Sequence, residues 1–523
     1  MKRINYFIVT LLLLNVCACK KGLDVTPTDF LNAQSFYKTE AQLESGIAGV
    51  YDILQFYGGT QLQTYNFQAD EGFARGAAAG VRSLDFTPSD AVVSAFWATF
   101  YSGINRANLL LQNVDNNPEL SQVFRDRIRG EALFLRAYYY FMLVQTYGGV
   151  PLILEPVASA NDVEIPRSSV KDTYEQILSD MKQAELLVPA ISELGFGGRI
   201  SKSAVRGILA RVCLHMAGHP LNETAKYSEA RDWAKKVMDD PEAGHALNPD
   251  FTKVYINYAQ DKYDIKESIW EAEFWGNRAD AYTETGWVGY VNGPSCTNAL
   301  TGLGFGGILI TANFYNSFEA GDLRRDWSIA NFTYNATGPA GSKTAITTNT
   351  NASFYGRYTA KFRREYELLA RNGANTPQNF PLLRYADVLL MFAEAESEVN
   401  NGPTQDAYDA INLVRRRGFG KLMPGATNIE QYDLSGLDHD TFLTEIVKER
   451  LRELNSELLR KGDLVRWGIF VSTMQEVANQ IVAHVPTAYY LANYRNAQPK
   501  HVIWPIPARE LALNKALVQN DGW

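Results

Sequence analysis

Cysteine and histidine are scarce in this chain, and each scarcity closes off a class of chemistry. Of 523 residues only 4 are cysteine and 6 are histidine. Cys17 and Cys19 fall in an N-terminal apolar segment, which leaves Cys213 and Cys296 and room for one disulfide at most, so a disulfide scaffold is excluded. Cys213 lies in a helical pattern and Cys296 in a Gly-rich loop, so two unpaired thiols are expected. His215 and His219 have the i, i+4 spacing of a metal pair. However, Gly218 and Pro220 end the helix there and no third ligand lies nearby, so a capping or core role is expected and no metal or cofactor is assigned. The chain also lacks a Gly-x-Ser-x-Gly elbow and a His-Glu-x-x-His helix, so the familiar hydrolase signatures are missing. Carboxylate pairs of the glycosidase kind can lie far apart in sequence, and 58 acidic residues offer many, so a lipid-anchored hydrolase stands as an alternative. No apolar run after Cys19 is long enough to span a bilayer, and the net charge of −8 comes with no basic stripe, which argues against nucleic acid as a partner.

What is present begins at the N-terminus. Lys2 and Arg3 precede an apolar stretch from Tyr6 to Leu14, followed by Val16-Cys17-Ala18-Cys19 and Lys20-Lys21. This pattern predicts a lipoprotein signal over residues 1–18 with Cys19 as the acylated residue, since a small residue precedes Cys19 and bulky Val16 precedes Cys17. The alternative is an ordinary secretory signal with two incidental cysteines.

Apolar spacing predicts helices over 126–147, from Ser168 or Ser169 to Pro189, and over 201–216, 227–238, 382–400, 405–417 and 440–459. Two apolar faces on the first of these predict burial on both sides. Paired helices with short turns read as tetratricopeptide-like hairpins, although no clean repeat can be laid over them. Between residues 267 and 378, and again over 57–94, Gly, Asn, Thr and aromatics replace helical periodicity. The expected fold class is mainly α: a helical scaffold over 35–56, 95–240 and 380–470 that carries a loop-rich binding part over 57–94 and 267–378.

Loops on a rigid frame are where ligand contacts concentrate. Trp275, Trp287, Tyr290 and Tyr315 are interspersed with Asn292, Asn298 and Asn313, the mixture of flat rings and amides that a sugar site uses. A small core beneath long loops would account for the same rings. Asp70, Glu71 and Arg75 either add polar contacts or form a solvated surface. Gly302-Leu303-Gly304-Phe305-Gly306-Gly307 meets a dinucleotide pattern on paper, but no βαβ unit surrounds it, so a flexible loop at a binding face is expected instead.

The run Glu449-Arg450-Leu451-Arg452-Glu453-Leu454, continuing through Glu457, Arg460 and Asp463-Leu464-Val465-Arg466-Trp467, resembles the C-terminal helix signature of the SusD/RagB family. Four further stretches agree in order: from Arg129 to Leu152, Pro166-Arg-Ser-Ser-Val170, Arg384-Tyr-Ala-Asp-Val-Leu-Leu-Met-Phe-Ala-Glu-Ala395, and from Pro505 to Trp523. Glu449, Arg452 and Glu453 have ion-pair spacing and Leu451, Leu454 and Leu458 make a stripe, so these residues are expected to be scaffold. Leu458 stands where the family usually has Gly, and Asp521 where it often has Pro. Trp97, Tyr101, Ile104 and Asn108 match a family helix pattern, which places Trp97 in the core. The resemblance implies an outer-membrane lipoprotein on the cell exterior, seated over a SusC-like TonB-dependent transporter. It would capture oligosaccharides, or peptides in the RagB branch, and deliver them without a chemical step.

Overall fold

The computed structural model describes residues 36–59, 67–76, 79–157, 164–274, 286–368 and 373–523. Cys19 and Trp275 lie outside the described residues. The long helices are α1 (Glu40–Tyr51), α2 (Ala91–Asn113), α3 (Gln122–Tyr147), α4 (Val170–Leu187), α5 (Lys202–Ala217) and α6 (Lys226–Met238). They continue with α7 (Phe251–Ala259), α8 (Tyr385–Asn400), α9 (Gln405–Gly418), α10 (His439–Leu454), α11 (Arg460–Arg466) and α12 (Phe470–His484). Short polar side chains start them: Asp90, Ser121, Ser169, Ser201, Thr404 and Asp438 each accept a hydrogen bond from a backbone N–H in the first turn of the helix that follows.

The chain is mainly helical, as expected, and successive helices pack in pairs: α3 on α4, α5 on α6, and α8 on α9, with α6 also against α8. Helix α3 is buried on both sides, from Ile128 through Tyr147. The α3–α4 pair is locked by Arg136, whose Nε and Nη2 donate to the two oxygens of buried Asp180 at 2.7 and 2.9 Å. Trp97 is 5% exposed and belongs to this core. Cys213 and Cys296 are both buried free thiols. His215 is in the core, where burial depresses its imidazole to about 3, while His219 lies past the helix end at an exposed position. No group of metal-ligating side chains occurs among the described residues, and no helix there is long and apolar enough to cross a membrane.

Two helix boundaries differ from expectation. Residues 380–384 form a buried strand before α8, because they pair with Ser268–Ala272. Helix α10 stops at Leu454, since Ser456 and Leu458 take positive φ and the Ser456 N–H donates to Glu71. Both differences come from partners distant in sequence, which periodicity does not see.

Three two-stranded antiparallel ribbons organise the remainder: β1 (Gly72–Ala74) with β3 (Ile308–Ile310), β2 (Ser268–Ala272) with β6 (Phe380–Arg384), and β4 (Phe332–Tyr334) with β5 (Lys343–Ala345). The β2–β6 ribbon is a neck through which the chain leaves the helical layer and returns to it. The β1–β3 ribbon joins the two irregular stretches by backbone pairing, with Phe73 opposite Leu309.

Candidate functional site

The β1–β3 ribbon ends in a face of rings. Past the ribbon, the Arg75 N–H still donates to Gly307 O at 2.9 Å, so the start of this loop is held by ladder geometry. The short helix Val288–Val291 anchors the other side: Phe305 N and Gly306 N donate to Tyr290 O at 2.9 and 3.2 Å, and Gly307 N to Val291 O at 2.8 Å. The glycines permit this close approach. Gly306 sits at φ +64°, and a Cβ there would meet Ser295 N at 2.7 Å and a Tyr358 ring carbon at 2.8 Å. The loop therefore lies flat and presents Phe305, which is 42% exposed.

Around Phe305, the Tyr290 ring stacks at 6.2 Å with an interplanar angle of 26°. The Arg75 guanidinium lies 5.5 Å from the Phe305 ring centre and 5.7 Å from that of Tyr358, and its Nη1 donates to Phe305 O at 2.6 Å and Ser295 Oγ at 3.3 Å. Tyr489, 45% exposed, donates its hydroxyl to Ala74 O at 3.0 Å and accepts from Gly76 N at 2.9 Å. Burial raises that hydroxyl's pKa, against the lowering effects of the Gly76 N–H and the Arg75 charge. The arrangement can stack flat apolar surfaces and donate hydrogen bonds.

Two of the residues singled out from sequence, Arg75 and Tyr290, meet here. Trp287 is half-buried at the start of the Tyr290 helix, with its N–H on Gly58 O at 2.8 Å. Asp70 is beneath the face instead of on it: it is 1% exposed, and Arg460 donates to both its oxygens at 2.7 and 2.8 Å. Asn292 is fully buried and is held by Ser456 O at 2.9 Å and Thr359. Asn298 is buried against Asn335 O and Gly338 O. Tyr315 stacks on Phe354 at 3.6 Å between Arg325 and Arg357, outside the Arg75 cluster. Tyr358 and Tyr489 escaped sequence reasoning, and Phe305 entered it only within the Gly-rich loop expected at a binding face. The glycines around Phe305 were the available signal, since glycine on both sides of a ring marks backbone that lets the ring stand out.

Under the face runs a buried ionic frame centred on α10. Glu453 receives Arg417 at 2.6 Å, Arg384 at 3.0 Å and Arg324 at 3.1 Å. Burial pushes this carboxyl up, but Arg417, Arg384 and Arg324 outweigh it and hold the group at about 2. Glu457 takes Arg384 at 2.8 Å and Lys361 at 2.7 Å. Arg324 and Lys361 come from the irregular part, Arg384 from β6 and Arg417 from α9, so Glu453 on α10 and Glu457 just past its end tie the parts together. Glu71, next to Asp70, behaves oppositely: burial, and then the Asp70 charge, raise it to about 8, so it holds its proton at neutral pH.

Comparison with known proteins gives a consistent result. A family model described as "SusD family" matches residues 266–523, and one described as "Starch-binding associating with outer membrane" matches residues 22–214. SusD-like protein P25 of Formosa agariphila is 26% identical over 565 aligned residues that cover 100% of this chain and 99% of that one. A solved SusD homolog from Bacteroides thetaiotaomicron superposes with a TM-score of 0.84 at 27% identity, covering 94% of this chain and 98% of that one. A solved laminarin-binding SusD-like protein gives a TM-score of 0.72 at 25% identity, with 93% and 100% covered. Two of these descriptions name glycan binding, starch for the second family model and laminarin for the last structure. With the signature run of α10 in its place and both halves matched, the chain belongs to the SusD family of outer-membrane-associated proteins.

Proposed function

We propose that this protein captures glycans at the cell surface through the face formed by Arg75, Tyr290, Phe305, Tyr358 and Tyr489, and passes them to a SusC-like TonB-dependent transporter. The observation that carries the reading is the set of partly exposed rings held from behind by backbone hydrogen bonds. Sugar rings present flat C–H faces, and at roughly 25 cal/mol per Å² of apolar area covered, two stacked platforms contribute a few kcal/mol. That strength suits cargo that must be released again. The laminarin-binding neighbour supports a glycan over a peptide. Lipid on Cys19 would anchor the chain to the outer membrane and leave the folded part facing the exterior, with acyl burial contributing about 0.8 kcal/mol per methylene. Trp287 and Tyr315 are proposed as outlying contacts for a longer chain of sugars, while Asp70 and Asn292 act by holding the frame under the site.

Affinity electrophoresis against a panel of polysaccharides tests this reading. Retardation by at least one glycan, abolished in Phe305→Ala/Tyr290→Ala, is expected. Peptide binding with no glycan retarded would transfer the protein to the peptide-binding branch. Sugar release from the same substrates would favour a hydrolase. Co-purification with a barrel protein, and loss of membrane attachment in Cys19→Ala, check the partner and the anchor.

A further inference from the structure

We propose that the glycan taken by this face carries negative charge, as a uronate carboxylate or a sulfate ester, and that Arg75 is the residue that selects it. The inference rests on the capture reading above and adds the ligand's chemical class to it.

Arg75 is exposed and, among the described residues, has no carboxylate within ion-pair distance. The arginines of the frame beneath it contrast with this: Arg324, Arg384, Arg417 and Arg460 each hold at least one carboxylate. Arg75 is nevertheless not a loose surface cation. One nitrogen, Nη1, is committed to Phe305 O at 2.6 Å and to Ser295 Oγ at 3.3 Å. Rings flank the guanidinium at 5.5 and 5.7 Å, and its backbone is tied to Gly307. The group is thus oriented in advance, with Nε and Nη2 unused by any described neighbour, so little rotamer entropy remains to be lost when a ligand arrives.

The rings decide the sign of the preference. A ligand laid across Phe305 and Tyr358 covers the guanidinium between them and strips its water. A sugar hydroxyl replaces that water with one neutral hydrogen bond, which leaves a desolvated cation short of compensation. A carboxylate or sulfate oxygen pair meets the planar fork with two charge-assisted hydrogen bonds. A ring-flanked, pre-aimed arginine with no acid among its described neighbours therefore favours an anionic sugar over a neutral one of the same shape.

The test uses the purified chain in affinity electrophoresis with polygalacturonate and alginate as uronates, carrageenan and heparin as sulfates, and laminarin, dextran and xylan as largely uncharged controls. At least one anionic glycan is expected to retard the protein. That affinity should fall at least tenfold in Arg75→Gln, recover only in part in Arg75→Lys, and weaken as sodium chloride is raised from about 50 to about 500 mM, the signature of a charge contact at an exposed site. Carboxyl-reduced polygalacturonate should lose the binding if a uronate is the ligand; retention by carrageenan alone assigns the sulfate. Retardation only by uncharged glycans, whatever Arg75→Gln does to it, overturns the charge assignment and leaves glycan capture standing. Binding of polyanions unchanged in Arg75→Gln also overturns it, because the contact then lies elsewhere. Failure of every glycan with correctly folded protein removes the capture reading itself. Circular dichroism of the Arg75 variants separates loss of contact from loss of fold.

Discussion

Leu458 adopts φ +65°, in the left-handed region where an L side chain with a Cβ is strained by about 1–2 kcal/mol. Its side chain also lines a partly open cavity of about 140 Å³ beside Tyr138, Met142, His215 and Lys461. The usual order, in which alanine tolerates a position better than glycine, should therefore reverse here. Urea unfolding is expected to find Leu458→Gly more stable than Leu458→Ala by about 1 kcal/mol, since both lose the packing and only glycine relieves the backbone. Glu71 makes a second test. Its folded-state pKa is raised from 4.5 to about 8, so the native state binds more protons than the unfolded chain within that window, and its contribution to stability falls as pH rises through it. Glu71→Gln removes that slope: against the parent protein, its melting temperature should be nearly unchanged at about pH 4 and higher at about pH 9.

Helix α10 shows how a surface-like pattern can be buried. The spacing of Glu449, Arg452 and Glu453 suggested pairs along one helix, and the 3.2 Å contact between Arg452 and Glu449 is such a pair. Yet Glu449 and Glu453 are fully buried, and the partners of Glu453 come from three other segments. Removing Glu453 takes a shared carboxylate from three fully buried arginines, which keep Asp322, Glu449, Glu267 and Glu457 but are left with excess positive charge, so Glu453→Ala should destabilise the protein by about 3–5 kcal/mol in chemical denaturation, whereas Asp52→Ala at an exposed pair should lower stability by less than about 1 kcal/mol. The loop at Gly306 makes the opposite prediction, large for binding and small for stability. Gly306→Ala collides with Ser295 and Tyr358 at a positive φ, so the loop must lift. Affinity electrophoresis should show glycan retardation reduced several-fold while the melting temperature changes by only a few degrees, because the strain is confined to a surface loop.

The molecule as a whole is a helical layer with an irregular part spliced in through the β2–β6 neck and stitched back by the β1–β3 ribbon and the α10 ionic frame. This layout backs the ring-bearing face with buried ion pairs and backbone pairing. Much of it was legible without coordinates. Periodicity locates α3 to α6 to within a few residues, helped at α4 by a capping serine, because a helix that buries a stripe must repeat its apolar positions and satisfy its first N–H groups locally. The run from Glu449 to Trp467 identifies the family for the same reason: many of its side chains are obliged to meet partners in a shared frame. The face proposed for binding was less accessible. Arg75 and Tyr290 were visible as candidates, but nothing local separates them from Asp70 or Asn292, which have equally suitable chemistry and are buried in the frame. Phe305, Tyr358 and Tyr489 lie 53, 131 and 184 positions apart from one another in turn or together, and join Arg75 only through ribbon pairing and the Tyr290 carbonyl. Helices, caps and family membership are encoded by neighbours a few residues away, whereas exposure of a given ring depends on which distant segment covers it, and that is settled when the chain closes on itself.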